Sequence, residues 1–361
     1  MKKLRYIVFS LVFVMILTAV PTAAESKKVK IIGDSAIVVD VETGDVLYGK
    51  NSKVKRYPAS ITKIMTALIT LERCDLDENV IYSQAALYSI EPGSSAAYIK
   101  PGEKMTVEES LYVMMLRSAN DVAHGLAYHV GGDLPGFAAL MNQKAKKLGC
   151  TNTNFVNASG LHAKEHYTTA ADMAKIARAA YENPTLRKIM NTPRYNLPAT
   201  NKYDVVRPWV NGNRMIQSGS EYYYEPCLGG NTGYTTVAGG TLVTYAKIHD
   251  RVLACVVLKS KNSASAYSDS IKLYKYVDKH GDFRAYQKRD PVIEETTTEV
   301  DHSGEEIIYG KEPTMMDKVI TGVKIAVGIV LVLCVGVILR IVHVQRIKRK
   351  RRRRRQGKKR R

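Results

Sequence analysis

Cysteine is scarce in this 361-residue chain and falls into no pattern. Cys74, Cys150, Cys227, Cys255 and Cys334 include no CxxC pair and no zinc-like spacing, which argues against a thiol-redox or zinc-ribbon framework. Scattered in this way, they read first as small packed apolar side chains, with disulfides as the alternative and no pairing fixed by the sequence. Acidic residues are also few: 34 Asp plus Glu stand against 54 Lys plus Arg, for a net charge of +20. Spread evenly, such an excess would suggest a nucleic-acid or anionic-surface partner. It is not evenly spread. Residues 340–361 hold 14 basic residues and no acidic one, and Lys2, Lys3 and Arg5 add three more, which leaves +3 on residues 25–339. No nucleic-acid partner is expected. No internal repeat occurs, which excludes a repeat array. The 45% apolar content excludes wholesale disorder.

Long apolar runs are limited to two. The first, Ile7 to Val20, follows a basic start and precedes Pro21-Thr-Ala-Ala24. That order predicts a secretory signal over residues 1–24, cut after Ala24. The second run gives a transmembrane helix over 319–343, where about 20 apolar residues suffice to cross ~30 Å of hydrocarbon. Lys324 near one end can snorkel, and Arg340 closes the other. The basic tail 344–361 then stays on the cytoplasmic side, so the intervening domain faces outward. Between the domain and this span, residues 290–318 carry nine acidic and two basic residues and read as a solvated stalk. The organisation expected is therefore signal peptide, one domain over 25–289, stalk, membrane span and basic tail.

Within the domain, residues 36–49 alternate around Glu42-Thr-Gly-Asp45 and predict a hairpin. Apolar residues at 61, 64, 65, 68 and 71 give a helical stripe over 60–73, after Pro58. Thr106-Val-Glu-Glu109 is a capping box that opens a helix through Arg117. Further helices are expected over 121–129, 135–148 and 169–181. Strand patterns return in 227–246 and 251–259, with a turn at His249-Asp250. Strands at both ends with helices between predict an α/β (α+β) domain, in which one antiparallel sheet of N- and C-terminal strands is flanked by helices.

Three short motifs carry chemistry. Ser60-Ile-Thr-Lys63 places a hydroxyl and an amine three residues apart on one helix face, so Lys63 can reach the Ser60 hydroxyl. A desolvated neutral Lys can activate a Ser nucleophile, and a helix start offers amides to an oxyanion. Alone, that spacing also suits a capping Ser before an exposed Lys. Ser118-Ala-Asn120 follows the helix ending at Arg117, and Asn231-Thr-Gly-Tyr-Thr235 opens a strand. Each alone fits an ordinary loop.

In this order, however, the three resemble the serine D-alanyl-D-alanine carboxypeptidases, the low-molecular-weight penicillin-binding proteins of peptidase family S11. The resemblance runs from about Ile31 to Tyr276. It extends to Tyr57-Pro-Ala-Ser-Ile-Thr-Lys-Ile-Met-Thr-Ala-Leu68, Arg117-Ser-Ala-Asn-Asp121, Asn152-Thr-Asn-Phe-Val-Asn-Ala-Ser-Gly-Leu161 and Thr168-Thr-Ala-Ala-Asp-Met173. It implies a β-lactamase/transpeptidase-like fold. It also implies roles: Ser60 as nucleophile, Lys63 as base, Ser118 as proton relay and Asn120 on the substrate amide. Asn231, Thr232, Gly233 and Tyr234 would form the strand that binds substrate. The Ser60 and Tyr234 amides would form the oxyanion hole, and Thr232 would hold the terminal carboxylate. The implied substrate is a peptidoglycan stem peptide ending in D-Ala-D-Ala. β-Lactams are the implied covalent inhibitors, the bacterial membrane the implied location, and no metal or organic cofactor is implied.

Two departures stand out. Asn231 occupies the position where the family has Lys, so the cation beside the substrate carboxylate is gone, and with it a pressure that keeps Lys63 neutral. Arg207 or Arg214 are candidate replacements. The β-rich domain that many relatives carry after the catalytic one is not expected in this chain. An alternative function follows from Asn231: a catalytically impaired module that binds or senses wall peptides.

Other features attract bland readings. His162-Ala-Lys-Glu-His166 lacks the His-Glu-x-x-His order of zinc proteases. His124 and His129, five apart, share no helical face. Tyr222-Tyr-Tyr224 fits either a substrate groove or an edge-strand aromatic cluster, and Met114, Met115 and Met141 sit at core spacing.

Overall fold

The structure, a computed structural model, describes residues 29–280 apart from Ser89 and Pro92, together with 293–294, 298–300 and 306–308. The predicted signal (1–24), membrane span (319–343) and basic tail (344–361) lie outside the described residues. Among the described residues, no helix is long and apolar enough to cross a membrane.

The expected hairpin is β1 (Ser35–Asp40) and β2 (Val46–Lys50), paired antiparallel around the Glu42–Asp45 turn. A 3-10 turn over Ala59–Thr62 leads into α1 (Lys63–Arg73), so the helix expected from Ser60 begins with a tighter turn. Strand β3 (Asn79–Ile81) precedes the short α2 (Gln84–Tyr88) and pairs with β4 (Lys104–Thr106). The capping box opens α3 (Val107–Arg117) as predicted: the Thr106 hydroxyl accepts from the Glu109 amide, and the Glu109 carboxylate accepts from the Thr106 amide. Helices α4 (Asn120–Gly131), α5 (Leu134–Lys147) and α6 (Ala170–Glu182) follow within two residues of their expected bounds. Next come α7 (Pro184–Met190) and the hairpin of β5 (Arg194–Leu197) and β6 (Arg207–Val210). Strands β7 (Cys227–Thr235), β8 (Gly239–Ile248) and β9 (Arg251–Ser260) precede α8 (Ser263–Lys279).

The main sheet runs β10-β2-β1-β9-β8-β7, where β10 (Ile293–Glu294) adds to β2 in parallel. Its centre is the antiparallel pairing of β1 with β9, which joins the two ends of the domain as expected. A second compact unit begins at Thr296 and contains β11 (Thr298–Val300) paired antiparallel with β12 (Glu306–Ile308). These strands fall in the stretch predicted as a stalk.

Both faces of the sheet are covered, and the alternation of its strands records this. In β9, Ala254, Val256 and Leu258 face the core shared with α1 and α3–α7, while Leu253, Cys255 and Val257 face a second core. That second core lies under α8, whose Ala266, Tyr267, Leu273, Tyr274 and Val277 form its buried stripe. Sequence reading missed α8. Its first half is Ser-Ala-Ser-Ala-Tyr-Ser-Asp-Ser, so the helical period rests on tyrosines and small residues rather than on Leu or Ile. Tyr222 and Tyr224 pack on Tyr267 and Tyr274 of this helix, which makes them an aromatic cluster behind the edge strand. Cys74, Cys150, Cys227 and Cys255 are unbridged.

One carboxylate staples α8 to the start of the domain. Asp269, fully buried, accepts from the Gly33 amide at 2.6 Å and from the Ile32 amide at 3.0 Å. Removing it leaves two amides without this partner. Asp269→Ala is expected to lower stability by about 3 kcal/mol, the upper range for bonds to a charged acceptor. Urea unfolding followed by Trp209, the single tryptophan, checks this, and an unchanged midpoint would contradict it.

Candidate active site

Ser60 sits in the 3-10 turn between the edge strand β7 and α1, and several contacts shape that turn. Ala59 adopts φ +50°, a left-handed conformation rare outside glycine, immediately before the hydroxyl-bearing residue. The Thr241 hydroxyl of β8 donates to the Pro58 carbonyl at 2.7 Å. Gly233 of β7 approaches so closely that a Cβ there would lie 2.6 Å from the Ser60 amide nitrogen. A glycine is required at this position. Tyr234, the next residue along the edge strand, is half-exposed.

Lys63 opens α1 and is fully buried. Its amine donates to the Asn120 side-chain oxygen at 2.7 Å, to the Ser159 carbonyl at 2.7 Å and to the Ser60 hydroxyl at 3.3 Å. This disposes of the exposed-Lys reading. Burial lowers the Lys63 pKa to about 7, and the charge of Asp121 opposes that shift. The sequence-based expectation tied the neutrality of Lys63 to a cation at position 231. Here enclosure alone brings it down, with Asn231 in place.

Two segments enclose the amine. The first is the loop ahead of α6. The Asn157 side-chain oxygen accepts from the Gly160 amide at 2.7 Å and from the Ser159 amide at 3.2 Å, and its nitrogen donates to the Leu161 carbonyl at 2.9 Å. That turn presents the Ser159 carbonyl to Lys63. Gly160, at φ +83°, packs directly against the Ala59 carbonyl, where no Cβ fits. The loop is sewn to α1 by the Thr66 hydroxyl, which donates to the Ala158 carbonyl at 2.7 Å, and by Thr62 with His166 at 2.9 Å. His166 accepts from the Val156 amide through Nδ1, so its other nitrogen carries the proton toward Thr62. Buried, with its pKa lowered to about 3 by desolvation, His166 is a structural residue, not a ligand. His124 contacts the Ser159 hydroxyl at 3.2 Å, and burial likewise lowers it, to about 4.

The second segment is the junction of α3 and α4. Ser118 ends α3 at φ 59°, a left-handed turn that brings Asn120, the first residue of α4, onto Lys63. Asp121 is buried and accepts from the Ala97 and Ile99 amides, which lays the 95–99 segment against this junction.

The edge strand holds the third motif. Asn231 is buried, and its side chain turns back into the protein. Its nitrogen donates to the Ser60 carbonyl at 3.3 Å, while its oxygen accepts from the Thr232 amide at 2.9 Å. Thr232 is half-buried and its hydroxyl lies against Gly212, whose carbonyl accepts from the Tyr267 hydroxyl of α8 at 2.7 Å. Ser60, Lys63, Asn120, Asn231 and Gly233 thus converge, with Ser118 at the adjacent turn. Sequence reasoning assigned no roles to Ser159, Asn157, Asp121 and Tyr267. The first three lie in stretches singled out for their resemblance, while Tyr267 lies in the helix that went unread.

A hydroxyl at a helix start beside a buried amine whose pKa burial brings to about 7 is the arrangement that a serine–lysine acyl-transfer site requires. The sequence profile of the D-alanyl-D-alanine carboxypeptidase family S11 matches residues 21–262, and the chain belongs to that family. It is 35% identical over 250 residues to D-alanyl-D-alanine carboxypeptidase DacF of Bacillus subtilis, which covers 66% of this chain and 61% of that protein. The D-alanyl-D-alanine carboxypeptidase of Streptomyces sp. strain K15 is 31% identical over 65% of this chain and 83% of its own. Among solved structures, an S96A mutant of Streptomyces K15 DD-transpeptidase superposes with TM-score 0.65 at 30% identity, covering 69% of this chain and 99% of that one. A D-alanyl-D-alanine carboxypeptidase from Mycobacterium tuberculosis gives 0.63 at 29% identity, over 70% and 94%.

The amine sets the pH response. A lysine base accepts a proton only in its neutral form, so with Lys63 in that role acylation of Ser60 would rise with pH as the amine deprotonates. The rate of acylation by a penicillin, followed from pH 5 to pH 9, should rise through one proton with a midpoint near 7. A midpoint well above 9 would mean that the amine is hydrated and that the enclosure described above is wrong.

Proposed function

We propose that the protein is a serine-type D-Ala-D-Ala carboxypeptidase acting on peptidoglycan stem peptides. The observation that carries this reading is the buried Lys63 amine within 3.3 Å of the Ser60 hydroxyl. Ser60 Oγ attacks the carbonyl between the two D-alanines as Lys63 takes its proton. The tetrahedral oxyanion draws on the Ser60 and Tyr234 amides. The proton then passes, with the Ser118 hydroxyl as relay, to the amine of the departing D-alanine, and water releases the shortened peptide. A β-lactam would acylate the same serine. The alternative of an impaired binding module loses its main motive, because the Lys63 base is tuned by burial rather than by residue 231.

The missing cation affects recognition of the substrate carboxylate instead. Arg207 is committed elsewhere: it pairs with the buried Glu103 and stacks on Tyr203 at 4.1 Å. Arg214 lies over the Tyr222 ring at 5.2 Å, and its charge acts on the Tyr267 hydroxyl, which bonds to the Gly212 carbonyl beside Thr232. Thr232 with Arg214 supplies the carboxylate site in this reading. Arg214→Ala should raise KM for a D-Ala-D-Ala peptide about tenfold, the loss of roughly 1.4 kcal/mol, and Asn231→Lys in the same chain should restore it. An unchanged KM would remove Arg214 from the site.

The location follows from the sequence: export by residues 1–24, anchoring by 319–343, and a tail held inside by its charge. A membrane-impermeant labelled penicillin, added to intact cells expressing the full chain, tests both parts. The expected results are covalent labelling that Ser60→Ala abolishes, and release of D-alanine from a wall pentapeptide by the purified chain. Labelling only after permeabilisation would reverse the topology. No label and no D-alanine would refute the enzyme.

A further inference from the structure

Away from the reaction site, Cys74 and Glu78, four residues apart, come together with the distant His129. Their sulfur, carboxylate oxygen and ring nitrogen all lie within 4.8 Å of one another, and Glu78 Oε1 is 2.9 Å from His129 Nε2. Each stands on anchored backbone. Cys74 caps α1, its amide donating to the Thr70 carbonyl at 3.0 Å. The Glu78 amide closes a turn on the Asp75 carbonyl, and the Glu78 carbonyl accepts from the Val107 amide at the start of α3. His129 lies in the last turn of α4. All three side chains are partly exposed, so an ion has a path to them.

We propose that Cys74, Glu78 and His129 bind a single borderline divalent ion, zinc foremost, with a water completing four-coordination. A thiolate, an imidazole and a carboxylate are the donors zinc selects over calcium or magnesium. Tetrahedral zinc, with bonds of 2.0–2.3 Å, places such donors about 3.3–3.6 Å apart, so small side-chain rotations close the site. On binding, the Cys74 S–H bond breaks and its proton goes to solvent. The thiolate, the Glu78 carboxylate and the unprotonated Nε2 of His129 donate lone pairs, and the two negative charges balance the ion. No electron is transferred.

The placement gives the ion a mechanical role. Lys63 opens α1 and Asn120 opens α4, and these two residues touch at 2.7 Å. Cys74 and His129 lie at the opposite ends of the same two helices, about 15 Å along α1. The ion ties together, far from the reaction, the helices that carry the amine and its acceptor.

The untagged full-length chain, equilibrated with zinc and then dialysed, should retain one zinc per chain by elemental analysis. Cys74→Ser and His129→Gln should each lose it. Cobalt in place of zinc should give a thiolate-to-metal charge-transfer band that Cys74→Ser abolishes. Zinc should also raise the thermal unfolding midpoint of the parent chain but not of either variant, whose cooperative unfolding confirms that they fold. A parent chain that retains no zinc, or zinc retention unchanged in both folded variants, overturns the proposal. None of these readouts depends on carboxypeptidase activity.

Discussion

The site depends on keeping one amine dry. A lysine side chain taken out of water needs acceptors for its hydrogens, and an unpartnered buried amine would cost several kcal/mol. Lys63 finds its acceptors on two segments far from it in sequence, Asn120 at the start of α4 and the Ser159 carbonyl in the 157–161 turn. Each must arrive at bonding distance, so α1, α4 and that turn have to converge on one point. Two of the left-handed non-glycine residues lie along the same convergence, Ala59 before the serine and Ser118 at the α3–α4 junction, with Gly160 pressed against Ala59. Strain of this kind persists only where surrounding contacts over-determine it. Here Thr241, Thr62, Thr66 and Asp121 supply those contacts.

The sheet sets the remaining wall. Because β1 pairs with β9, both ends of the domain meet in its middle, and β7 is left as the edge beside Ser60. An edge strand keeps one row of backbone groups unpaired, a natural surface for an extended peptide. The back of the same sheet would be an exposed apolar face without α8. That helix therefore does two things at once. It covers the second core, and through Tyr267 it holds the Gly212 carbonyl, beside Thr232 of the edge strand.

Local features were legible in the sequence and long-range ones were not. The Thr106 capping box, the apolar stripe of α1 and the alternation of β1 and β2 are short-range signals, and the structure has each of them. The three-residue spacing of Ser60 and Lys63 predicted their meeting on geometric grounds. The Ser159 carbonyl, 96 residues from Lys63, carries no local mark of its role. Nor does Tyr267, in a helix whose period is written in Tyr, Ala and Ser. The family blocks indicated that residues 157–161 mattered. Only the Asn157 side chain, bonded within its own turn, gives the reason.

Asn231 marks where sequence and structure diverge most. In the family pattern, a lysine at this position serves two ends, holding a substrate carboxylate and repelling the proton on Lys63. Those functions separate once the enclosure is seen. Desolvation comes from the packing of α1, α4 and the 157–161 turn around the amine rather than from a charge at 231. Carboxylate recognition depends instead on the edge strand and on what flanks it. The buried Asn231 side chain spends its hydrogen bonds on the Ser60 carbonyl and the Thr232 amide, which bridge the nucleophile's turn to the strand. A residue that has given up charge in this way still fixes the register between serine and strand. In the proposed mechanism the cation comes from elsewhere: Arg214 lies over Tyr222, and its charge acts on Tyr267, which bonds to the Gly212 carbonyl beside Thr232. Base strength and substrate recognition, joined in one side chain in the family pattern, are in that mechanism carried by different parts of the fold.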